Sequence, residues 1–376
     1  MRLSATLAAG APLVGLTRVL ADSGPLSPDA RSKANVAIVQ CKTYGPEVKP
    51  ALRKCFDLTG GVDNLVRGKT VTVKMNLTGT DFTHFLGKPA GETFMTHNAT
   101  VSALLSLLFD AGAKRVRLVE STQSRDDLKT TLSTAGWDVN ALSALGNVEY
   151  ENTRNLGNGK SYSTLRVPFG GYMFSSLDLN HSYHDTDVMV SLAKLKRHLT
   201  AGVTLSMKNM FGLTPNALYG SEAGSERATE GRMPLHDFAG HENIKLPGIK
   251  ADVPYKDPFS RVPHIIVDIC AARPIDLCIV DGISAMTGGE GPWCVNGAVI
   301  KPTTPGVLIA GLNPVSTDAV ATAVMGYEPR SPRGTKPFDY CDNHLLLAEQ
   351  AGLGSADLSR IDVRGMTLAD ARYSYD

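Results

Sequence analysis

Three short runs rich in β-branched residues decide the fold: NVAIVQ at 35–40, TVTVKM at 70–75 and RVRLVE at 115–120. Their length and composition are typical of buried β-strands. Amphipathic stretches that follow these runs predict helices over 48–58, 99–111 and 125–135. Strands that alternate with helices in this way form a parallel sheet with helices on both faces. The sequence therefore predicts an α/β fold with a mostly parallel sheet.

The second half of the chain resumes this pattern after an interruption. Further strands are predicted at DVMVSL (187–192), LCIV (277–280) and GVLIA (306–310), with a helix over 315–325. Stretches rich in Gly, Pro, Ser and Asn near 152–185 and 214–258 predict long loop insertions. We therefore predict one α/β core over 34–330, completed by a C-terminal helix and tail over 331–376.

The composition is that of a globular protein without a strong overall charge. Of the 376 residues, 43% are hydrophobic, which is enough for a sizeable core. Lys and Arg number 38 and Asp and Glu number 37, so the net charge is +1 and no nucleic-acid partner is expected. The six cysteines include no C-x-x-C pair, so we do not expect an iron–sulfur cluster held by this chain alone. Their pairing stays open.

Residues 1–24 differ from the rest of the chain and are typical of an export signal. Arg2 precedes an apolar run over 3–16, and Val19-Leu20-Ala21 fits a cleavage site after small residues. Arg18 within this segment favours the alternative, a short N-terminal helix packed on the domain. No later apolar run is long enough for a transmembrane segment in the mature chain. We predict export to the periplasm or the extracellular space, by a route that the sequence leaves open.

The densest cluster of polar residues follows the predicted strand at 187–192. It contains Lys194, Lys196, His198, Lys208 and Asn209. At the carboxyl end of a parallel strand, these side chains would line the crevice in which open α/β sheets bind ligands. Their cationic donors suit a carboxylate or a phosphate. The alternative is a solvated helix face that carries several lysines.

Several motifs resemble, in order and spacing, those of the domain-of-unknown-function-362 family. The matching stretches are VKMN (73–76), KLKRH (194–198), VTLSMKNMFG (203–212), DLCIVDG (276–282), GEGP (289–292) and GLNPVSTDAV (311–320), together with Thr96-His97 and Glu120. Met75 and Asn313 depart from the usual Pro and Asp of that family. The ferredoxin-like module that is fused to some members has no counterpart in this sequence. The resemblance implies an α/β fold and a shared ligand site, and it implies no reaction.

The resemblance adds further positions to the lysine cluster. Lys74 and Asn76 lie at the carboxyl end of the predicted strand at 70–75, where their side chains could enter the same crevice. Gly289 and Gly291 lie in a loop whose backbone N–H groups could approach a ligand closely. Asp281 ends a predicted strand, and its role as general base, metal ligand or counter-ion of the lysines stays open.

Two functions follow from a crevice of this kind. In the first, the protein is an enzyme that binds an anionic small molecule, with His198 or Lys208 moving a proton and Asp281 adjusting the pKa of that group. In the second, the crevice holds an anion or a cofactor without chemical change. We predict that Lys74, Lys194, Lys196, His198, Lys208 and Asn209 share one pocket and that Asp281 faces it. The sequence has no zinc-binding frame and no nucleotide-binding loop, and it identifies neither a metal nor a cofactor.

Overall fold

The computed structural model of the chain describes residues 34–237, 239–293 and 299–376. The predicted export signal over 1–24 lies outside the described residues. The strands are β1 (Ala34–Gln40), β2 (Thr70–Lys74), β3 (Arg115–Glu120), β4 (Val148–Asn152), β5 (Ser163–Arg166), β6 (Ser176–Leu179), β7 (Val188–Lys194), β8 (Arg197–His198), β9 (Gly202–Val203), β10 (Leu277–Gly282), β11 (Ala285–Met286), β12 (Pro302–Thr303), β13 (Val307–Gly311) and β14 (Ile361–Gly365). The helices are α1 (Val48–Thr59), α2 (Asp63–Val66), α3 (Asn98–Asp110), α4 (Leu128–Thr134), α5 (Val139–Ser143), α6 (Leu205–Asn209), α7 (Asn216–Tyr219), α8 (Met233–His236), α9 (Pro258–Ala272), α10 (Pro314–Val324), α11 (His344–Gln350) and α12 (Leu368–Ala371).

Eight strands form one large sheet in the order β14-β1-β13-β10-β7-β2-β3-β4. Within this sheet β13 is antiparallel to both of its neighbours, β1 and β10. The other five pairings are parallel. The predicted α/β fold with a mostly parallel sheet is therefore confirmed. The strand order reverses at β2, because β3 and β4 extend the sheet to one side of it and β7 lies on the other.

Helices cover both faces of the large sheet. Helices α1 and α3 pack on the face that contains Ala37 and Val73, and α9 and α10 pack on the face that contains Val36 and Ile38. Successive side chains of a strand point to opposite faces, which places the neighbours Val36 and Ala37 in different cores. We call these the α1 face and the α9 face.

The sequence patterns miss one helix and two strands of this architecture. Twelve of the 15 residues of α9 are buried, so it lacks the polar side from which a helical period is recognised. Pro263 in its interior also indicates a break rather than a helix. Strands β4 and β14 are short edge strands with charged side chains, and they lack the apolar runs that identify the central strands.

The predicted loop regions contain only small elements among their described residues. The region near 152–185 holds the hairpin of β5 and β6, and the region near 214–258 holds α7 and α8. The C-terminal segment reaches back to the sheet, where β14 pairs with β1. Near the end of the chain, the buried Tyr375 hydroxyl donates to the Leu195 carbonyl at 2.7 Å.

Candidate functional site

A cavity of about 400 Å³ opens where the carboxyl ends of β2 and β3 meet the segment that follows β7. This is the position where the strand order reverses, and open α/β sheets commonly bind ligands there. Its described lining residues are Lys74, Asn76, Thr78, Gly79, Glu120, Ser121, Gln123, His198, Thr200, Lys208, Asn209, Phe211, Gly212, Gly231, Arg232, Met233, His236, Glu290 and Trp293. We call it the Lys208 cavity.

The Asn209 amide fixes the floor of this cavity across two strands. Lys74 lies opposite Ser191 in the parallel pairing of β2 with β7. The Asn209 Nδ2 donates to the Lys74 carbonyl at 3.2 Å and to the Ser191 hydroxyl at 3.0 Å. Its Oδ1 accepts from the Asn76 Nδ2 at 3.1 Å. Residues that are distant in sequence are thereby held in one rigid arrangement.

Lys74 is buried and already has a counter-ion. Its Nζ lies 2.5 Å from the Glu120 Oε1 and donates to the Met75 carbonyl at 2.6 Å. Burial lowers the pKa of Lys74, and the Glu120 carboxylate opposes that shift. The second oxygen of Glu120 accepts from the Leu77 N–H at 2.8 Å. Lys74 therefore contributes shape and a neutralised charge to the wall of the cavity.

Lys208 lies on α6, a short helix that is held at its start by a residue from another helix. Leu205 begins α6 with a φ of 45°, a left-handed conformation that costs about 1–3 kcal/mol for a residue other than glycine. The buried Asp318 on α10 accepts the next two N–H groups, from Ser206 at 2.9 Å and from Met207 at 2.8 Å. These bonds satisfy the first turn of α6 and direct Lys208 towards the cavity.

The ammonium of Lys208 has no hydrogen bond or ion pair with any residue in the described part of the chain. Its Nζ lies 4.3 Å from the centre of the Phe211 ring. Burial lowers the pKa of Lys208 to about 7; the positive charges of Arg232 and Lys74 contribute, and Glu290 opposes them. Lys208 is thus a half-buried lysine whose charged and neutral forms are both accessible near neutral pH.

Arg232 and His236 enter the cavity from the aperiodic region near 214–258. The Arg232 Nε donates to the Thr214 carbonyl at 2.6 Å. Burial lowers the pKa of Arg232 to about 10, so its guanidinium stays charged at neutral pH. The His236 Nδ1 faces the Arg232 carbonyl at 2.9 Å, and because a carbonyl only accepts, Nδ1 carries the proton. Burial, with the charge of Lys208, lowers the pKa of His236 to about 4, so the ring is neutral at physiological pH and its Nε2 carries a lone pair.

His198 separates the Lys208 cavity from a second cavity of about 310 Å³. Its Nδ1 accepts from the Thr200 N–H at 3.2 Å, so the proton of the neutral ring is on Nε2. Burial lowers the pKa of His198 well below its usual value, and the nearby charge of Lys208 adds to the shift. His198 is therefore a neutral hydrogen-bond donor at physiological pH.

The structure places Lys194 and Asp281 on the opposite face of the sheet from Lys74. Val188, Val190 and Leu192 of β7 belong to the core of the α1 face, and the alternation of side chains sends Lys194 to the same face. Asp281 lies beside Lys194 in the pairing of β10 with β7. Neither residue is among the described residues that line the Lys208 cavity. The prediction that Lys194 shares this pocket and that Asp281 faces it is therefore not met. Strands whose ends meet at one edge of a sheet still present alternate residues to opposite faces.

Lys194 and Asp281 instead belong to a buried cluster with Tyr44 and Thr100, which we call the Tyr44 network. The Lys194 Nζ donates to the Tyr44 hydroxyl at 2.6 Å and lies 3.5 Å from the Asp281 carboxylate. Asp281 also accepts from the Thr100 hydroxyl at 3.0 Å and from the Ile283 N–H at 3.1 Å. The network therefore provides hydrogen-bond partners for a lysine and an aspartate that are both fully buried.

Lys196 also lies outside the wall of the Lys208 cavity. Its Nζ donates to the Phe94 carbonyl at 2.6 Å and to the Glu290 carbonyl at 2.8 Å. Lys194 donates in the same manner to the Gly91 carbonyl at 2.6 Å. These two lysines bind the segment that precedes α3 to the sheet, so their contacts are structural.

The glycine-rich loop contributes a carboxylate to the cavity. Gly289 and Gly291 are not among its described lining residues, whereas Glu290 between them is. The Glu290 Oε2 accepts from the Leu199 N–H at 2.9 Å. A Cβ added at Gly291 would lie 2.7 Å from the Trp293 ring. Gly291 therefore permits close contact with a tryptophan at the cavity wall.

The charges that line the Lys208 cavity do not balance. Among its described lining residues, Lys74, Lys208 and Arg232 are basic, whereas Glu120 and Glu290 are acidic. With Lys208 protonated, the wall carries one surplus positive charge. The described residues contain no group of three or more His, Cys, Asp or Glu that could hold a metal ion.

Arg232, His236 and Glu290 line the site, although no sequence pattern assigns them to it. Arg232 and His236 lie in a region without periodicity, where only its length and composition indicate a functional loop. Glu290 lies between Gly289 and Gly291, whose backbone N–H groups are predicted to approach the ligand. Glu120 is a position that matches the family motifs. Its role comes from the contact with Lys74, which lies on a different strand.

Comparison with known proteins gives a family and one curated relative. The family described as "Domain of unknown function (DUF362)" matches residues 71–323, a range that contains every described residue lining the Lys208 cavity. A thylakoid-associated protein of Synechocystis sp. is 24% identical over 302 residues, which cover 78% of this chain and 75% of that protein.

A solved structure is also similar to this chain. It is a crystal structure of a Thermotoga maritima protein, with 15% sequence identity and a TM-score of 0.38. The similarity covers 73% of this chain and 57% of that protein.

Within the described residues of this chain, no helix combines the length and the apolar character needed to cross a membrane.

Proposed function

We propose that this chain, which belongs to the DUF362 family, binds an anionic small molecule in the Lys208 cavity and acts on it by acid–base chemistry. The observation that carries the proposal is the ammonium of Lys208, which faces the cavity without a partner among the described residues. A half-buried cation is stabilised when an anion binds beside it. The single surplus charge of the wall fits one carboxylate or one phosphate monoanion.

The histidine opposite this cation supports a catalytic role. A catalytic acid or base works best when its pKa lies near the operating pH, and burial brings the pKa of Lys208 to about 7. The His236 ring packs against Phe211, with ring centres 4.9 Å apart, and the Lys208 Nζ lies over the same Phe211 ring. A group that exchanges its proton near pH 7 therefore lies beside a neutral imidazole with a free Nε2.

Thermal unfolding in the presence of sulfate, phosphate and lactate tests anion binding. An anion that binds the folded protein raises the melting temperature by mass action. Lys208→Met should remove most of this shift, and Lys208→Arg should keep it because the charge remains. Lys114→Met, at an exposed lysine outside the cavity, is the matched control. An anion-induced shift of the same size in Lys208→Met and the parent protein would contradict the proposal.

We also propose that the protein is exported, as the pattern of residues 1–24 indicates. Intact-mass analysis of the protein from its native source provides the test. The mature chain should begin after Ala21. A mass that retains Met1 or Arg2 would contradict export with cleavage.

A further inference from the structure

We propose that Lys208 forms an imine with the ligand, so that the substrates are small oxo acids that carry a ketone or an aldehyde beside their negative charge. This inference rests on the proposed function, because the anionic group is what would bring the carbonyl to Lys208. It adds a covalent step and a substrate class to that proposal.

The four lysines at this edge of the sheet differ in what their ammonium groups contact. The Nζ atoms of Lys74, Lys194 and Lys196 each donate to protein oxygen atoms, at 2.6 Å in their closest hydrogen bonds. Such an ammonium is committed to the fold and cannot present a lone pair to a substrate. Lys208 makes no bond of this kind within the described residues, and its Nζ lies at the cavity wall against the Phe211 ring.

The surroundings of Lys208 favour its neutral amine form. A lysine becomes a nucleophile when its surroundings favour the neutral amine, through burial or through neighbouring cations. Lys208 has both, since it is half-buried and Arg232 and Lys74 contribute to the fall of its pKa to about 7. A substantial fraction of the Lys208 side chains is therefore in the amine form at neutral pH.

Other residues of the Lys208 cavity can bind the rest of the substrate. Arg232 uses two of its donors for the Thr214 and Gly212 carbonyls, and the remaining N–H groups of its guanidinium can bind a carboxylate. His236 packs on the same Phe211 ring as Lys208, and its Nε2 can accept a proton. The cavity thus combines a carboxylate-binding cation, a nucleophilic amine and a neutral imidazole that can relay a proton.

The reaction balances without an oxidant or a reductant. The Lys208 nitrogen attacks the carbonyl carbon, and the π electrons of the carbonyl move to its oxygen, which gives a carbinolamine. His236 accepts a proton from the nitrogen and returns it to the oxygen. The carbon–oxygen bond then breaks as the carbon–nitrogen double bond forms. The second amine proton passes through His236 to the oxygen in the same way as the carbon–oxygen bond breaks, so both protons of the amine leave with that oxygen as water.

Reductive trapping tests this inference on the purified protein. Glyoxylate or pyruvate is added with sodium cyanoborohydride, and the product is analysed by intact mass and by peptide mapping. We expect one reduced adduct per chain, on Lys208. Lys208→Arg should lose the adduct while it still binds pyruvate in calorimetry, because arginine keeps the charge and forms no imine. Lys114→Arg should trap pyruvate as the parent protein does.

The two proposals fail in distinguishable ways. Binding of pyruvate in calorimetry with no adduct on Lys208, or with adducts spread over exposed lysines, would overturn the imine and leave the anion site intact. An absence of binding for every anion in both calorimetry and thermal unfolding would overturn the anion site itself. The yield of trapped adduct should also rise as the pH rises through about 7, because a larger fraction of Lys208 is then in the amine form.

Discussion

The Tyr44 network and the Lys208 cavity contain the same type of residue at the same edge of the sheet, yet they differ in how each lysine is satisfied. Lys194 is fully buried and is bound by a tyrosine, a carbonyl and a carboxylate. Lys208 is half-buried and has no such partner in the described chain. A lysine at a strand end is therefore no indication of a ligand site until its partners are known. The difference also predicts that substitutions in the two regions affect different measurements.

The largest expected effect is on stability, from Asp281→Asn in the Tyr44 network. Removal of one partner of a buried ion pair leaves the other charge uncompensated and costs about 3–5 kcal/mol of unfolding free energy. Urea denaturation measures this loss. Asp63→Asn, in an exposed pair with Arg67, is the control and should cost less than about 1 kcal/mol. If both substitutions have equally small effects, Lys194 and Asp281 do not stabilise the fold as their contacts indicate.

The next effect is expected from Glu120→Gln at the wall of the Lys208 cavity. Lys74 would lose its carboxylate while keeping its bond to the Met75 carbonyl, and we expect a loss of about 2–3 kcal/mol. The same urea titration applies. Equal stability of Glu120→Gln and the parent protein would show that Lys74 does not depend on this counter-ion.

A much smaller stability change is expected from Lys208→Met. The substitution removes a cation that lies near Arg232 and Lys74, so the unfolding free energy should stay within about 1 kcal/mol of the parent value or rise. A loss of several kcal/mol would place Lys208 with Lys194 among the structural lysines and would remove the contrast between the two regions.

The smallest effect is a pH dependence of anion binding. The protonated form of Lys208 binds the anion, so affinity for sulfate should be greatest below the pKa of about 7 and should fall as the pH rises through that value. Calorimetric titration with sulfate across this range measures the fall. Lys208→Arg should bind with an affinity that changes little with pH. A parent protein whose affinity also stays constant would show that Lys208 does not bind the anion through its charge.

Much of the fold could be predicted from the sequence because its central strands are short apolar runs separated by amphipathic helices. Strand β3 has the predicted bounds, and β1 differs by one residue. Helix α9 could not be found, because a helix that is buried on nearly every side has no polar face to reveal its period.

The candidate site was predictable in its location and only partly in its composition. Lys74, Asn76 and Lys208 line the cavity, as the strand ends and the matching motifs indicated. Lys194 and Lys74 lie on opposite faces of the sheet because of the register that pairs Lys74 with Ser191. That register cannot be read from the sequence. Arg232 and His236 depend on how an aperiodic loop folds back over the sheet.

The C-terminal tail has a practical consequence for anyone who prepares this protein. Tyr375 is buried and donates to the Leu195 carbonyl, which lies between Lys194 at the end of β7 and the segment that carries His198. Tyr375 and Asp376 also line the second cavity, which shares His198 with the Lys208 cavity. A purification tag fused after Asp376 would therefore begin at a residue that lines that cavity. An affinity handle is better placed elsewhere, or removed by a protease before any binding measurement.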